Sequence, residues 1–235
     1  MMRSRFQNSL DELKERLLEM GGLAESAVEM AAESYRKHDG RLAQQVFDRE
    51  RLINQSERRI DELTVDLLAM QQPMATDLRF LLAVLKINAD LERVGDLAVN
   101  IAQRSLDLMQ EADIEARVDI ARMTTAVSTM VRRALESFVA ARADVAQAVL
   151  EMDSIVDRMK DEAFVNLVAQ MKQDPEHVRA YLDVLLIARS LERIADHATN
   201  IAEDVIFWVS GADVRHNVRL TREADTDAPQ GEHVD

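Results

Sequence analysis

"LERVGDLAVNIA" occupies positions 91–102 and "LERIADHATNIA" occupies 191–202. Eight of the twelve positions are identical: Leu91, Glu92, Arg93, Asp96, Ala98, Asn100, Ile101 and Ala102 recur as Leu191, Glu192, Arg193, Asp196, Ala198, Asn200, Ile201 and Ala202. A shared core would explain the apolar matches. It does not explain a repeated Glu, Arg, Asp and Asn. On a helix advancing about 100° per residue, Ile87, Leu91, Val94, Ala98 and Ile101 form one apolar stripe. Glu92, Asp96 and Asn100 fall on a different face, which predicts acids in an outer groove or surface strip, exposed rather than buried.

The repeat extends outward from this phrase. Comparing 75–102 with 175–202 adds Arg79/Arg179, Leu82/Leu182, Val84/Val184, Leu85/Leu185 and Ile87/Ile187. Upstream, "DRERLIN" (48–54) resembles "LEMDSIVD" (150–157), setting Glu50 against Asp153 and Asn54 against Asp157. Helical spacing runs throughout. Leu10, Leu13, Leu17, Met20, Ala24, Ala27 and Ala31 mark a first helix crossing Gly21-Gly22 and ending at "HDG" (38–40). A second is expected from about Leu42 to Met70, and a third with Pro73 in its first turn, running to about Gln110. After "EADIEA" (111–116), Met123, Val127, Met130 and Ala134 mark a fourth, which "AARAD" (140–144) ends. A fifth reaches about Lys172, and a sixth follows Pro175 to about Ser210. The fold is therefore expected to be all-α: two tandem three-helix bundles, residues 1–110 and 111–210, related by a pseudo-twofold internal repeat. The acidic tail, 211–235, has no apolar period and is expected to be disordered.

Composition agrees with long helices. The 235 residues include only six Gly and three Pro, aromatics are 4%, and twelve Met join Leu, Val, Ile and Ala as core material. With no Cys, disulfides and thiolate metal sites are excluded. The opening "MMRSRFQNSLDELKERLLEM" is charged from the start, and the longest interior apolar run, Phe80 to Leu85, is far too short to span a bilayer. The chain is expected to be soluble and cytoplasmic. A formal charge of −14 argues against nucleic acid and against unaided binding to anionic lipid. It is compatible with a cation binder or simply with a soluble protein.

Residues four apart on a helix stack on one face, so Glu92 and Asp96, Glu192 and Asp196, and Asp153 and Asp157 repel in pairs. A cation between them turns the repulsion into attraction. Oxygen-only donors suit Mg²⁺, Mn²⁺, Ca²⁺ or iron. A charged helix surface neutralised by Arg93 and Arg193 would also account for one such pair; its recurrence a hundred residues later favours function. His197 follows Asp196, but its counterpart is Leu97, so it reads as a groove-edge residue rather than a ligand. Di-iron bundles use Glu-x-x-His; no such motif exists here, and the nearest approach, Asp174/His177, spans a helix start. Neither a nucleophile–base pair nor a P-loop is present, so no enzymatic activity is expected.

"QQPMATDLR", "LKINADLERVGDLAVNIA", "ARSLERIADHATNIAED" and the ending "WVSGADVRH" together resemble the PhoU family of bacterial phosphate-signalling regulators, over the chain up to about Asn217. The resemblance implies two tandem three-helix bundles in a cytoplasmic protein, often a homodimer, that reaches the membrane only through protein partners. It implies a negative regulator coupling the nucleotide-binding subunit of the phosphate ABC transporter to a sensor histidine kinase. It also implies metal sites, carrying iron, zinc or magnesium, at Glu92, Asp96, Glu192 and Asp196, with Glu50, Asp153 and Asp157 on the partner helices. Asn54 departs from the acidic pattern, implying a weaker or differently loaded site in the first repeat. Two other readings stand beside this one: a carboxylate bundle for metal storage or metal-dependent catalysis, and an accessory subunit of another phosphate carrier.

Overall fold

The computed structural model describes residues 2–71, 73–111, 114–212 and 214. The tail beyond 214, expected to be disordered, lies outside the described residues. Six α-helices form among the described residues: α1 (Met2–Lys37), α2 (Gly40–Gln71), α3 (Ala75–Leu108), α4 (Ile120–Ala140), α5 (Ala143–Gln173) and α6 (Val178–Ser210). No strand occurs among the described residues. α1 passes through Gly21-Gly22 as a single helix.

One helix start differs from expectation, at Pro73. Pro73 lies before α3, which begins at Ala75 after an extended Met74. Pro175 opens a separate 3-10 turn, Pro175–His177, ahead of α6. A proline ring restricts the residue before it and supplies no N–H, so Pro73 sets the entry to α3 from outside it, whereas Pro175 takes the first position of a helical turn as expected. α4 begins where Asp119 accepts from the Arg122 N–H at 2.9 Å, satisfying one of the unpaired N–H groups of its first turn.

The burial pattern reveals a tight internal register. In α1 and α2, Leu17, Met20, Ala24, Ala27, Val28, Ala31, Val46, Ile53 and Ile60 are buried. Adding 103 to each number gives Ile120, Met123, Val127, Met130, Val131, Ala134, Val149, Val156 and Ala163, which are buried too. α1 and α4 also end alike: His38 and Ala141, again 103 apart, turn the chain with left-handed φ of 51° and 50°. For α3 and α6 the offset is 100, and the predicted stripe of Ile87, Leu91, Val94, Ala98 and Ile101 is fully buried.

The two bundles share one core. α3 and α6 make the most extensive helix contact, α1 packs on α4 behind them, and α2 and α5 cover the flanks. α3 and α6 run antiparallel, as Arg79 Nε donates to the Trp208 carbonyl at 3.2 Å, and Arg104 meets Asp183 at 3.1 Å. An aromatic cluster from three helices closes one end: Phe80 lies 5.8 Å from Phe138 and 5.1 Å from Trp208, and Phe138 lies 5.3 Å from Trp208. The connection between bundles is strapped to α5 by buried Gln170. Its Oε1 accepts from the Arg117 N–H at 2.8 Å, and its Nε2 donates to the Glu115 carbonyl at 2.7 Å.

Candidate functional site

The repeated Glu92 and Glu192 do not project freely into solvent. The core stripe faces the bundle centre, but the flank of α3 beside it meets α2, and that of α6 meets α5. Glu92 and Glu192 are therefore only 20% and 19% exposed at the side chain. The expectation of exposed acids is corrected for these two, which are half-buried in the α2–α3 and α5–α6 grooves, and holds for Asp196, which is exposed. One face angle cannot show that a second neighbour covers the flank.

In the first groove Glu92 lies within the electrostatic reach of Asp96, Glu57 and Glu50. Burial, then the Asp96 charge, pushes the Glu92 carboxyl above its ordinary range, against a lowering by Arg93. Arg93 Nε lies 3.5 Å from Glu92 and its Nη1 lies 3.7 Å from Asp96. Asn54 donates through Nδ2 to Glu50 Oε1. The Asn54 Oδ1 atom is shielded from solvent and accepts no hydrogen bond.

The second groove gathers Asp153, Asp157, Glu192 and Asp196. Burial raises Asp196, and the charges of Glu192, Asp153 and Asp157 raise it further. Asp153 is raised by burial, then by Asp157 and Glu192. Lys160 is the counter-charge here, with its Nζ 3.4 Å from Glu192 Oε1 and 3.8 Å from Asp157 Oδ1.

All seven predicted acids thus fall into two grooves, one per repeat, and two further residues belong with them. Glu57 supplies the fourth carboxylate that Asn54 lacks. Lys160 stands at the matching position 103 residues on. Carrying the "DRERLIN" comparison one turn further would have paired Glu57 with Lys160. The donor set is oxygen, which suits a hard cation. As the side chains stand, no three His, Asp or Glu groups among the described residues converge closely enough to hold an ion. A cation would have to draw the carboxylates together.

His197 sits between the repeats. It is 17% exposed, and its Nδ1 lies 2.7 Å from Asp90 Oδ1 on α3, which also accepts from Asn200 Nδ2 at 3.3 Å. It tethers α6 to α3 at the edge of the second acidic groove, where it opposes the raising of Asp196.

A tandem three-helix protein with one four-carboxylate groove in each half is the class these features define. The family model described as "PhoU domain" matches residues 17–105 and again 120–205. The chain belongs to the PhoU family. It is 43% identical over 212 residues to a Pseudomonas putida protein named "Phosphate-specific transport system accessory protein PhoU homolog", a match covering 90% of this chain and 83% of that one. A protein of the same name from Pseudomonas aeruginosa is 42% identical over 218 residues, covering 92% and 90%. The crystal structure of PhoU from Pseudomonas aeruginosa superposes with a TM-score of 0.85 at 41% identity, covering 88% of this chain and 100% of that one. The phosphate transport system regulatory protein PhoU from Streptococcus pneumoniae gives 0.82 at 27% identity, covering 89% and 99%.

Proposed function

We propose that this protein is an accessory and regulatory protein of a phosphate-specific transport system. It acts without catalysis of its own and restrains the phosphate-starvation response while phosphate is plentiful. The observation that carries this is the match along both repeats to relatives named as accessory proteins of phosphate-specific transport. Its partners in this reading are the nucleotide-binding subunit of the phosphate ABC transporter and the cytoplasmic part of a sensor histidine kinase. It works in the cytoplasm as a homodimer. No helix among the described residues is long and apolar enough to cross a membrane. At a formal charge of −14, anionic lipid repels the chain, so it reaches the membrane through protein contacts.

Each groove, in this reading, holds a divalent or ferric ion (magnesium, manganese, iron or zinc) on Glu50, Glu92 and Asp96 in one repeat and Asp153, Asp157, Glu192 and Asp196 in the other. The bound cation would supply positive charge where burial and mutual repulsion hold carboxyls above their ordinary range. Deleting the gene is expected to switch on phosphate-starvation genes in phosphate-rich medium, read with a reporter. Unchanged reporter output would refute the regulatory role. Vesicles holding the transporter or the kinase should sediment the protein where lipid-only vesicles do not; equal sedimentation would refute the protein-mediated route.

A further inference from the structure

On the outer face of the first repeat, away from the acidic groove, α1 and α2 enclose an open cavity of about 580 Å³ lined by Arg16, Gln55, Ser56, Arg58, Arg59 and Glu62. Three guanidiniums on one cavity are conspicuous in a chain of formal charge −14. Glu12 holds Arg16 at 2.7 Å, and Glu62 meets Arg59 at 3.4 Å. Both are partly exposed pairs, readily exchanged for a better anion. Arg58 makes no ion pair among the described residues.

The internal repeat supplies the comparison. At the 103-residue offset Arg16, Arg58 and Arg59 become Asp119, Asp161 and Glu162, and Ser56 becomes Met159. The matching cavity in the second repeat exists, lined by residues including Asp119, Met159 and Glu162, but measures only about 80 Å³. The three arginine positions of the first repeat are therefore acids in the second, whose cavity is balanced by Arg117 and Arg122 and carries no net cationic cluster. Helix packing cannot account for the inversion, since the buried positions beneath both cavities correspond.

We propose that Arg16, Arg58 and Arg59, with the Ser56 hydroxyl and the Gln55 amide, form a binding site for a phosphate-class oxyanion. Guanidinium forks present paired N–H donors that match the oxygens of such a group, and charge-assisted bonds of this kind are the strong ones. The same chemistry serves a free phosphate ion or a phospholipid headgroup. The site stands independently of the regulatory role above.

Purified full-length protein titrated with inorganic phosphate, observed by 31P line broadening at constant ionic strength, tests this. Saturable broadening is expected. It should weaken about tenfold in R58Q/R59Q, where two charges are lost from exposed positions, and stay within about twofold in D161N/E162Q. Circular dichroism checks that both variants remain helical. Sedimentation with phosphatidylglycerol vesicles against phosphatidylcholine vesicles separates the sources: phosphate broadening without retention identifies the free ion, and retention lost in R58Q/R59Q identifies a headgroup and would overturn the protein-only route to the membrane while leaving this site standing. Absence of both signals, or signals that R58Q/R59Q leaves unchanged, overturns the proposal.

Discussion

Glu92, Asp153 and Asp196 are each pushed above the ordinary carboxylate range, by burial first and neighbouring acids second. A carboxyl whose folded pKa is raised binds its proton more tightly folded than unfolded. Between the ordinary range and the raised one the folded state therefore holds more protons, and its stability falls as pH rises. Without metal, these groups are predicted to make the protein more stable near pH 5 than at pH 7.5, as read from urea midpoints. Glu92→Gln should raise the midpoint at pH 7.5, by a few tenths of a kcal/mol for the relieved repulsion, and flatten that slope. A midpoint that falls would show that Arg93 outweighs burial and Asp96. If the groove holds a cation, adding one should reverse the pH trend by binding the folded state alone. Glu92→Ala with Asp96→Ala is then expected to reduce the metal-dependent rise in melting temperature to the share of the second groove, while leaving the helices intact. An unaltered rise would remove these two as ligands. The seven acids were legible because a charged residue recurring at a fixed offset has no packing reason to do so. Glu57 was less legible, because its counterpart is Lys160, and an offset that reverses sign looks like no match.

Between elements, the two repeats solve the same packing problem with different volumes. A Cβ added at Gly95 on α3 would stand 3.0 Å from Ile53 Cδ1 on α2. The second repeat has Ala195 and the smaller Val156 at the matching positions, both buried. Gly95→Ala alone is predicted to gain helix propensity but strain Ile53, whereas Ile53→Val alone leaves a void costing about 0.5–1.5 kcal/mol. Together they should import the second repeat's packing. A double-mutant cycle in urea should therefore show favourable coupling of about 0.5 kcal/mol or more. Additive changes would mean that the helices adjust by sliding instead. Apolar period made the six helices readable from sequence, because burial on one face dictates the 3.6-residue spacing. The start at Pro73 was misread. A proline is acceptable both within a first turn and just before one, and only the surrounding chain decides between them.

At the scale of the whole molecule, stability depends on joining two halves that each resemble a complete bundle. Gln170 is the clearest single link between the connection and α5, since one buried amide pairs with both an N–H and a C=O of the strap. Gln170→Leu is predicted to cost about 1–2 kcal/mol by leaving those backbone groups to find water. The same change should speed amide exchange at Arg117. Unchanged exchange there would show that the strap is held by its other contacts. The aromatic cluster gives a further handle, since Trp208 is the only tryptophan in the chain and packs on residues from both repeats. Because the two bundles share one core, its fluorescence should change in step with helical circular dichroism in urea; an earlier fluorescence change would show that the halves part first.

By itself the sequence determined the all-helical class, the six elements, the doubling and the identity of the repeated acids. Each of these is a periodicity or a recurrence, and both survive in one dimension. Only the tertiary structure decided that Glu92 and Glu192 are half-buried against α2 and α5, because exposure depends on a neighbour from another part of the chain. It alone brought Asp90 to His197, Arg104 to Asp183 and Lys86 to Asp204 across the repeats. Those pairs come from the antiparallel meeting of α3 and α6. Antiparallel contact joins residues whose numbers have a constant sum, whereas an internal repeat relates residues whose numbers have a constant difference.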